Sequence, residues 1–224
     1  MSKDQAQTIG WSMNELAARL AADLQDGWFV NLGIGLPTLV ADFIPEGREI
    51  LFHSENGLLG LGPKPAPGEE DMDLVNAGKE PITLKPGGSF FSQAESFAIV
   101  RGGHLDASVL GAFQVSQCGD LASWKLPSDP LGRVGGAMDL TVGSKRVFLF
   151  MQHCTNKGES KIVEECTYPL TASRCVNRIY TNLAIIDVTD EGLAVQELAP
   201  GVTFEYVQAN TAAPLTDAVQ QVNF

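Results

Sequence analysis

The chain has 224 residues, enough for a domain with its own hydrophobic core, and 44% apolar against 19% charged residues is a globular balance, neither disordered nor membrane-embedded. A formal net charge of -12, from 15 basic and 27 acidic residues, excludes a nucleic-acid role, which needs clustered Lys and Arg to neutralise phosphate. The same field repels anions, so an anionic ligand requires a local positive site.

Residues 12–25 predict an amphipathic helix. Ser12 and Glu15 form a capping box, Met13, Leu16, Leu20 and Leu24 recur at helical spacing, and Gly27 ends it. Residues 28–32 predict a strand, Gly33-Ile34-Gly35 a tight turn, and 36–43 a short helix with Pro37 in its first turn. Residues 50–53 predict the next strand. This order predicts α/β architecture, an open mixed or parallel sheet flanked by helices. Residues 62–73, with Pro63, Pro65, Pro67 and Gly68 ahead of Glu69-Glu70-Asp71, predict an exposed loop.

Strand-like segments follow around 82–84, 89–91 and 107–113, with Gly102-Gly103 and Gly135-Gly136 as punctuation. Residues 119–133, containing Pro127 and Pro130, read as loop. Residues 147–151 predict a buried strand, too short an apolar run to span a bilayer. Residues 183–188 and 193–198 predict a hairpin across Asp190-Glu191-Gly192, and 203–208 a last strand or short helix. No repeat or linker interrupts the chain, so residues 1–224 are expected to form one domain. Met1-Ser2-Lys3-Asp4 shows no basic segment followed by an apolar one, so no signal peptide is expected, and the protein is expected to be cytoplasmic. Cys118, Cys154, Cys166 and Cys175 form no Cys-x-x-Cys pair and no zinc spacing with histidine, so they read as reduced thiols and no metal is expected.

The stretch Leu51-Phe52-His53-Ser54-Glu55-Asn56-Gly57-Leu58-Leu59-Gly60 carries the most chemical information. A strand runs into a turn at Asn56-Gly57, and in open α/β sheets reactive groups sit just past the carboxyl ends of strands. Glu55 stands at such an end. Taken alone, the string also fits a solvated turn glutamate. Gly33 and Gly35 flank a turn whose amides suit an oxyanion or phosphate, without the third glycine of a dinucleotide fingerprint. Gly135 and Gly136 permit a second close backbone approach. His53, His104 and His153 enter no serine-hydrolase order, and no Gly-x-Ser-x-Gly elbow exists.

The string from Leu51 to Gly60 resembles the glutamate signature of class I CoA-transferases. Further blocks resemble the B subunit of these enzymes: Val30-Asn31-Leu32-Gly33-Ile34-Gly35-Leu36-Pro37, Asn76-Ala77-Gly78-Lys79, Arg101-Gly102-Gly103-His104-Leu105-Asp106, Gly135-Gly136-Ala137-Met138-Asp139 and Glu164-Glu165-Cys166-Thr167-Tyr168-Pro169-Leu170-Thr171. The likeness runs from about Asn14 to Glu205. Three segments, Pro65 to Asp71, Val134 to Gly136 and Thr155 to Lys161, look most similar to members acting on 3-oxoadipate. One departure is Gly132-Arg133-Val134-Gly135-Gly136, where many relatives carry Gly-Met-Gly-Gly.

The resemblance implies an open α/β fold shared with ribose-phosphate isomerases and transfer of CoA from succinyl-CoA to a 3-oxoacid through a glutamyl-CoA thioester. It implies Glu55 as the nucleophile and the Gly136 amide as oxyanion donor. Asn31, Gly33, Gly35, Asn56 and Gly135 then stand near substrate, and Lys79 near the CoA phosphates or the reacting group. No cofactor is implied, since CoA is part of the substrates. A CoA-transferase A subunit is implied as partner, in an A2B2 heterotetramer, with no nucleic acid and no membrane. Alternatives are a subunit using acetoacetate with succinate, or acetate, and a CoA-binding module without chemistry. A phosphosugar isomerase rests on fold analogy alone.

Overall fold

The structure is a computed structural model that describes residues 9–219; the reading of Met1 to Asp4 lies outside the described residues. In chain order its elements are helix α1 (Met13–Asp23), strand β1 (Phe29–Leu32), a 3-10 helix (Leu36–Phe43), β2 (Leu51–Ser54), β3 (Leu58–Leu61), β4 (Leu84–Phe90), α2 (Gln93–Arg101), β5 (Ala107–Leu110), β6 (Gln114–Ser116), β7 (Leu121–Ala122), α3 (Ala137–Gly143), β8 (Val147–Met151), β9 (Ile162–Val163), β10 (Arg178–Thr181), β11 (Ala184–Thr189), β12 (Gly192–Leu198), α4 (Phe204–Ala209) and β13 (Leu215–Asp217). Ten strands form one sheet in the order β13-β12-β11-β10-β8-β5-β1-β2-β3-β4, and β7-β6-β9 form a smaller one.

The centre of the large sheet, β2-β1-β5-β8-β10, is all parallel. Antiparallel β11 and β12 extend it on one side and β3 and β4 on the other. The predicted mixed α/β sheet is therefore present. Burial explains why its centre tolerates no polar face. In β8, Val147, Leu149 and Met151 enter one core cluster with Val100 of α2 and Leu140 of α3. Phe148 and Phe150, pointing the other way, enter a second cluster with Leu16, Leu20 and Leu24 from α1 and its end. Helices thus cover both faces, as parallel strands require.

Helix α1 carries the predicted capping box: the Ser12 amide donates to Glu15 Oε2 at 2.8 Å and the Glu15 amide to Ser12 Oγ at 3.3 Å. The helix closes at Asp23, earlier than predicted, because Leu24 turns to an extended conformation and Arg48 Nη1 takes up the carbonyls of Ala22 and Leu24 at 2.8 and 2.6 Å. Residues 36–43 coil as a 3-10 helix with proline at its start. Of the segments around 82–84 and 89–91, Leu84, Ser89 and Phe90 belong to one edge strand, β4, where Pro86 costs no ladder bond that a central strand would need, while Ile82, Thr83 and Phe91 lie outside it. Residues 119–133 are not all loop, since β7 lies within them. The hairpin of β11 and β12 forms as predicted, and residues 204–209 resolve to a helix capped by Thr203. Among the described residues no helix is long and apolar enough to cross a membrane.

Helices α2 and α3 pack by a backbone-to-backbone approach at Gly143, where an added Cβ would fall inside contact distance of the Val100 carbonyl oxygen. Gly143→Ala is therefore expected to destabilise the fold by about 1–3 kcal/mol, as overpacking does. Chemical denaturation checks this; an unchanged midpoint would mean that the two helices separate without cost.

Candidate active site

Within the parallel centre, β1 neighbours β2 on one side and β5 on the other, so successive crossovers leave in opposite directions. That is the point where open α/β sheets form a crevice beyond their carboxyl ends. A cleft of about 530 Å³ lies there, bounded by Asn31 to Ile34 at the end of β1, Glu55 after β2, Leu110 to Phe113 at the end of β5 and Gly135 to Met138 at the start of α3. Its volume suits a small-molecule ligand.

Glu55 sits in the turn between β2 and β3, which the Gly57 amide closes on the Ser54 carbonyl at 3.0 Å. Gly57 has φ of 110°, and a Cβ there would collide with the Phe91 carbonyl, so the turn requires glycine. Both neighbours of Glu55 are anchored. Ser54 Oγ accepts the Ala77 amide at 2.9 Å, and Asn56 Nδ2 donates to the Val75 carbonyl at 2.8 Å.

The Glu55 carboxylate makes no hydrogen bond among the described residues. Its Oε2 lies so close to the Gly136 Cα that a Cβ at position 136 would occupy the same space, and that Cβ would also stand 3.1 Å from the Phe97 ring of α2. Burial pushes its pKa above the ordinary glutamate value, and the negative charge of Asp139, one turn into α3, adds to the rise. Arg101 Nε holds Asp139 at 2.7 Å. The Gly136 amide has no partner among the described residues and remains a free donor beside the carboxylate.

Behind Glu55, His53 is buried and stacks on Phe91 with ring centroids 6.1 Å apart. Asn31 Nδ2 donates to His53 Nδ1 at 2.9 Å and to the His53 carbonyl at 3.2 Å. An amide nitrogen only donates, so Nδ1 accepts and the ring proton is on Nε2, which donates to Ser96 Oγ at 2.9 Å. Burial pushes the His53 pKa down to about 4, so the ring stays neutral and serves as a brace tying β1, β2 and α2 together.

Of the residues expected at the site, Asn31, Gly33, Glu55, Gly135 and Gly136 line the cleft. Asn31 spends both amide protons on His53. The Gly33 amide is bonded to the Val109 carbonyl at 2.8 Å, so this glycine serves close strand packing and leaves no donor for a ligand. Gly35, with φ of 86°, starts the 3-10 helix outside the cleft wall, and Asn56 faces the 75–77 segment. Lys79 is exposed at φ of 63° and does not line the cleft. The cations that do are Arg133 and Lys161, to which the sequence alone assigns no role. Among the described residues no group of three or more His, Cys, Asp or Glu could hold a metal.

The sequence matches the family model described as Coenzyme A transferase over residues 13–210. It is 57% identical over 205 residues to the B subunit of a 3-oxoadipate CoA-transferase from Pseudomonas putida, covering 91% of this chain and 96% of that one. It is 55% identical over 208 residues to the protein of the same description from Acinetobacter baylyi, covering 92% and 96%. Among solved structures, an acyl-CoA transferase (YdiF) from Escherichia coli superposes with a TM-score of 0.71 at 18% identity, covering 94% of this chain and 43% of that longer one, a likeness of fold.

Burial and Asp139 both oppose ionisation of Glu55 in the folded state. A carboxyl whose folded pKa is raised loses stability as pH climbs through its unfolded value towards its folded one, and carries no penalty in acid below both. Glu55→Gln is therefore expected to raise the melting temperature at neutral pH, with the gain vanishing in acid. Thermal scans across pH check this; a pH-independent effect, or a loss, contradicts an electrostatic cost at Glu55.

Proposed function

The chain belongs to the coenzyme A transferase family, and from that membership we propose that it transfers CoA from succinyl-CoA to 3-oxoadipate as the B subunit of a two-subunit enzyme. The observation that carries the mechanism is the Glu55 carboxylate, free of hydrogen bonds and pressed against Gly136 in the switch-point cleft. The relatives described as B subunits of 3-oxoadipate CoA-transferases support the choice of acid.

In this reading Glu55 attacks the thioester carbonyl of succinyl-CoA, forming a mixed anhydride and expelling the CoA thiolate. The thiolate attacks the glutamyl carbonyl, releasing succinate and leaving CoA as a thioester on Glu55. The carboxylate of 3-oxoadipate then attacks that thioester, and the returning thiolate takes the new acyl group and frees Glu55. Each step passes acyl activation on without hydrolysis, so covalent catalysis replaces one difficult exchange by easier ones. Every attack develops an oxyanion, for which the unpartnered Gly136 amide is the donor; such a donor contributes about 3 kcal/mol.

Water must be kept from these intermediates. The A subunit closes the cleft, and the assembly is A2B2, working in the cytoplasm. No cofactor is required because CoA arrives and leaves with the acids. Lys79, exposed on the loop to which Ser54 and Asn56 are anchored, serves the CoA phosphates rather than the reacting carbonyl.

The direct test assembles the chain with its A-type partner, adds succinyl-CoA, reduces with borohydride and maps peptides by mass spectrometry. The peptide containing Glu55 is expected to carry the mark, and Glu55→Ala to abolish it; an unmodified Glu55 in a complex that binds succinyl-CoA overturns the mechanism. Asp139→Asn is expected to move the acidic limb of kcat/KM to lower pH. It removes a charge that opposes ionisation of Glu55 and releases Arg101, which favours it. A shift to higher pH, or none, contradicts the electrostatic assignment.

A further inference from the structure

Lys161 enters none of the steps above, yet its surroundings are unusual for a lysine. Its backbone is fixed from both sides, the Lys161 amide donating to the His153 carbonyl at 3.1 Å and its carbonyl accepting the Val115 amide at 2.9 Å. Its side chain reaches back to the junction of β5 and β6, where Nζ donates to the Ala112 carbonyl at 3.1 Å. That uses one of three ammonium protons. No carboxylate pairs with it among the described residues. Its ionisable neighbour is the Cys154 thiol, which burial holds neutral. Desolvation lowers the Lys161 pKa, so burial opposes the charge of an ammonium that has no carboxylate partner among the described residues, a cost that a bound anion would offset.

The wall of the same cleft adds a neutral donor. Ser123 and Thr171 both line the cleft, their hydroxyls 2.8 Å apart. Whichever donates in that bond, the other hydroxyl proton is left over, since Thr171 Oγ1 also accepts the Ser123 amide at 3.0 Å. An ammonium with spare protons and an uncommitted hydroxyl, in the same cleft as Glu55, together suit a carboxylate. The other cation of the wall, Arg133, is exposed, and solvent screens its charge far more than that of Lys161.

We propose that Lys161 is a specificity-determining residue that binds the distal carboxylate of the dicarboxylic acyl group, the end of succinate or 3-oxoadipate that never becomes a thioester, with the Ser123–Thr171 hydroxyl pair beside it. The proposal rests on the transferase reading and extends it. A chain of net charge -12 repels dianionic acids at long range, and a desolvated lysine supplies the local attraction that reverses this. Anchoring the distal end also orients the other carboxylate for in-cleft attack.

The test compares 3-oxoadipate with 3-oxohexanoate, which has a methyl group where the distal carboxylate stands, using the chain assembled with its A-type partner. Lys161→Met is expected to lower kcat/KM for 3-oxoadipate about 100-fold while changing that for 3-oxohexanoate less than about threefold. Lys161→Arg, which keeps the charge, should retain a preference for the diacid. Equal losses for the two acids in Lys161→Met, or no preference in Lys161→Arg, would make Lys161 a structural brace for the Ala112 carbonyl and overturn the proposal. If Lys161→Met does not assemble, the Arg variant alone decides. Should the wild-type complex exchange neither acid, the transferase reading itself fails, a result distinct from either outcome at Lys161.

Discussion

The Glu55 carboxylate occupies space that exists only because residue 136 has no side chain. The arrangement of the centre follows from that contact. Strand β2 delivers Glu55 from one direction, and α3 delivers Gly136 from another, along a segment more than eighty residues later in the chain. Their meeting needs β1 and β5 to part at the switch point and α2 and α3 to approach at Gly143. It also needs the Asn31–His53–Ser96 brace to hold β2 against both β1 and α2. The first two are close-packing requirements and the third is a set of buried hydrogen bonds.

Electrostatics around the centre divide the labour. Glu55 is held without hydrogen bonds among the described residues and near a like charge, which opposes its ionisation in the folded state. Asp139 is in turn held by Arg101, so the repulsion felt by Glu55 is tempered rather than removed. His53, two residues before Glu55, takes no charge at physiological pH because it is buried and its nitrogens are matched to an amide donor and a hydroxyl.

Local signals were legible where one short stretch of sequence decides the structure. Ser12 with Glu15 announced α1, the apolar run at 147–151 announced β8, and the turn at Asp190-Glu191-Gly192 announced the β11–β12 hairpin. Helix α2 carries the same signal as α1, Ser92 with Glu95, and could have been found from it; its face buries only Ser96 and Val100, so the hydrophobic period is faint. Strand β3 was hidden because Gly60, at φ of 84°, breaks its alternation with a bulge against β4. Glu55 and Gly136 were legible through a family resemblance and not through spacing. Lys161 was not, because its burial depends on Ala112, 49 residues away. Lys79 is exposed and outside the cleft wall, on a turn that its own amide closes on the Asn76 carbonyl at 2.9 Å.

The anchoring of Ser54 and Asn56 to residues 75–77 has a consequence for how the chain can vary. The long segment between β3 and β4 has two mechanically different halves. Residues 63–73 are largely exposed irregular backbone with two short turns, where added or lost residues are absorbed at little cost. Residues 74–82 form a closed lariat, pinned to itself by Ile82 to Leu74 and Asn76 to Glu80 bonds and to the Glu55 turn by the two bonds flanking Glu55. A length change in that lariat would travel directly to the carboxylate. Loop grafting between members of such a fold therefore has a natural seam just before Leu74, and a forbidden zone immediately after it.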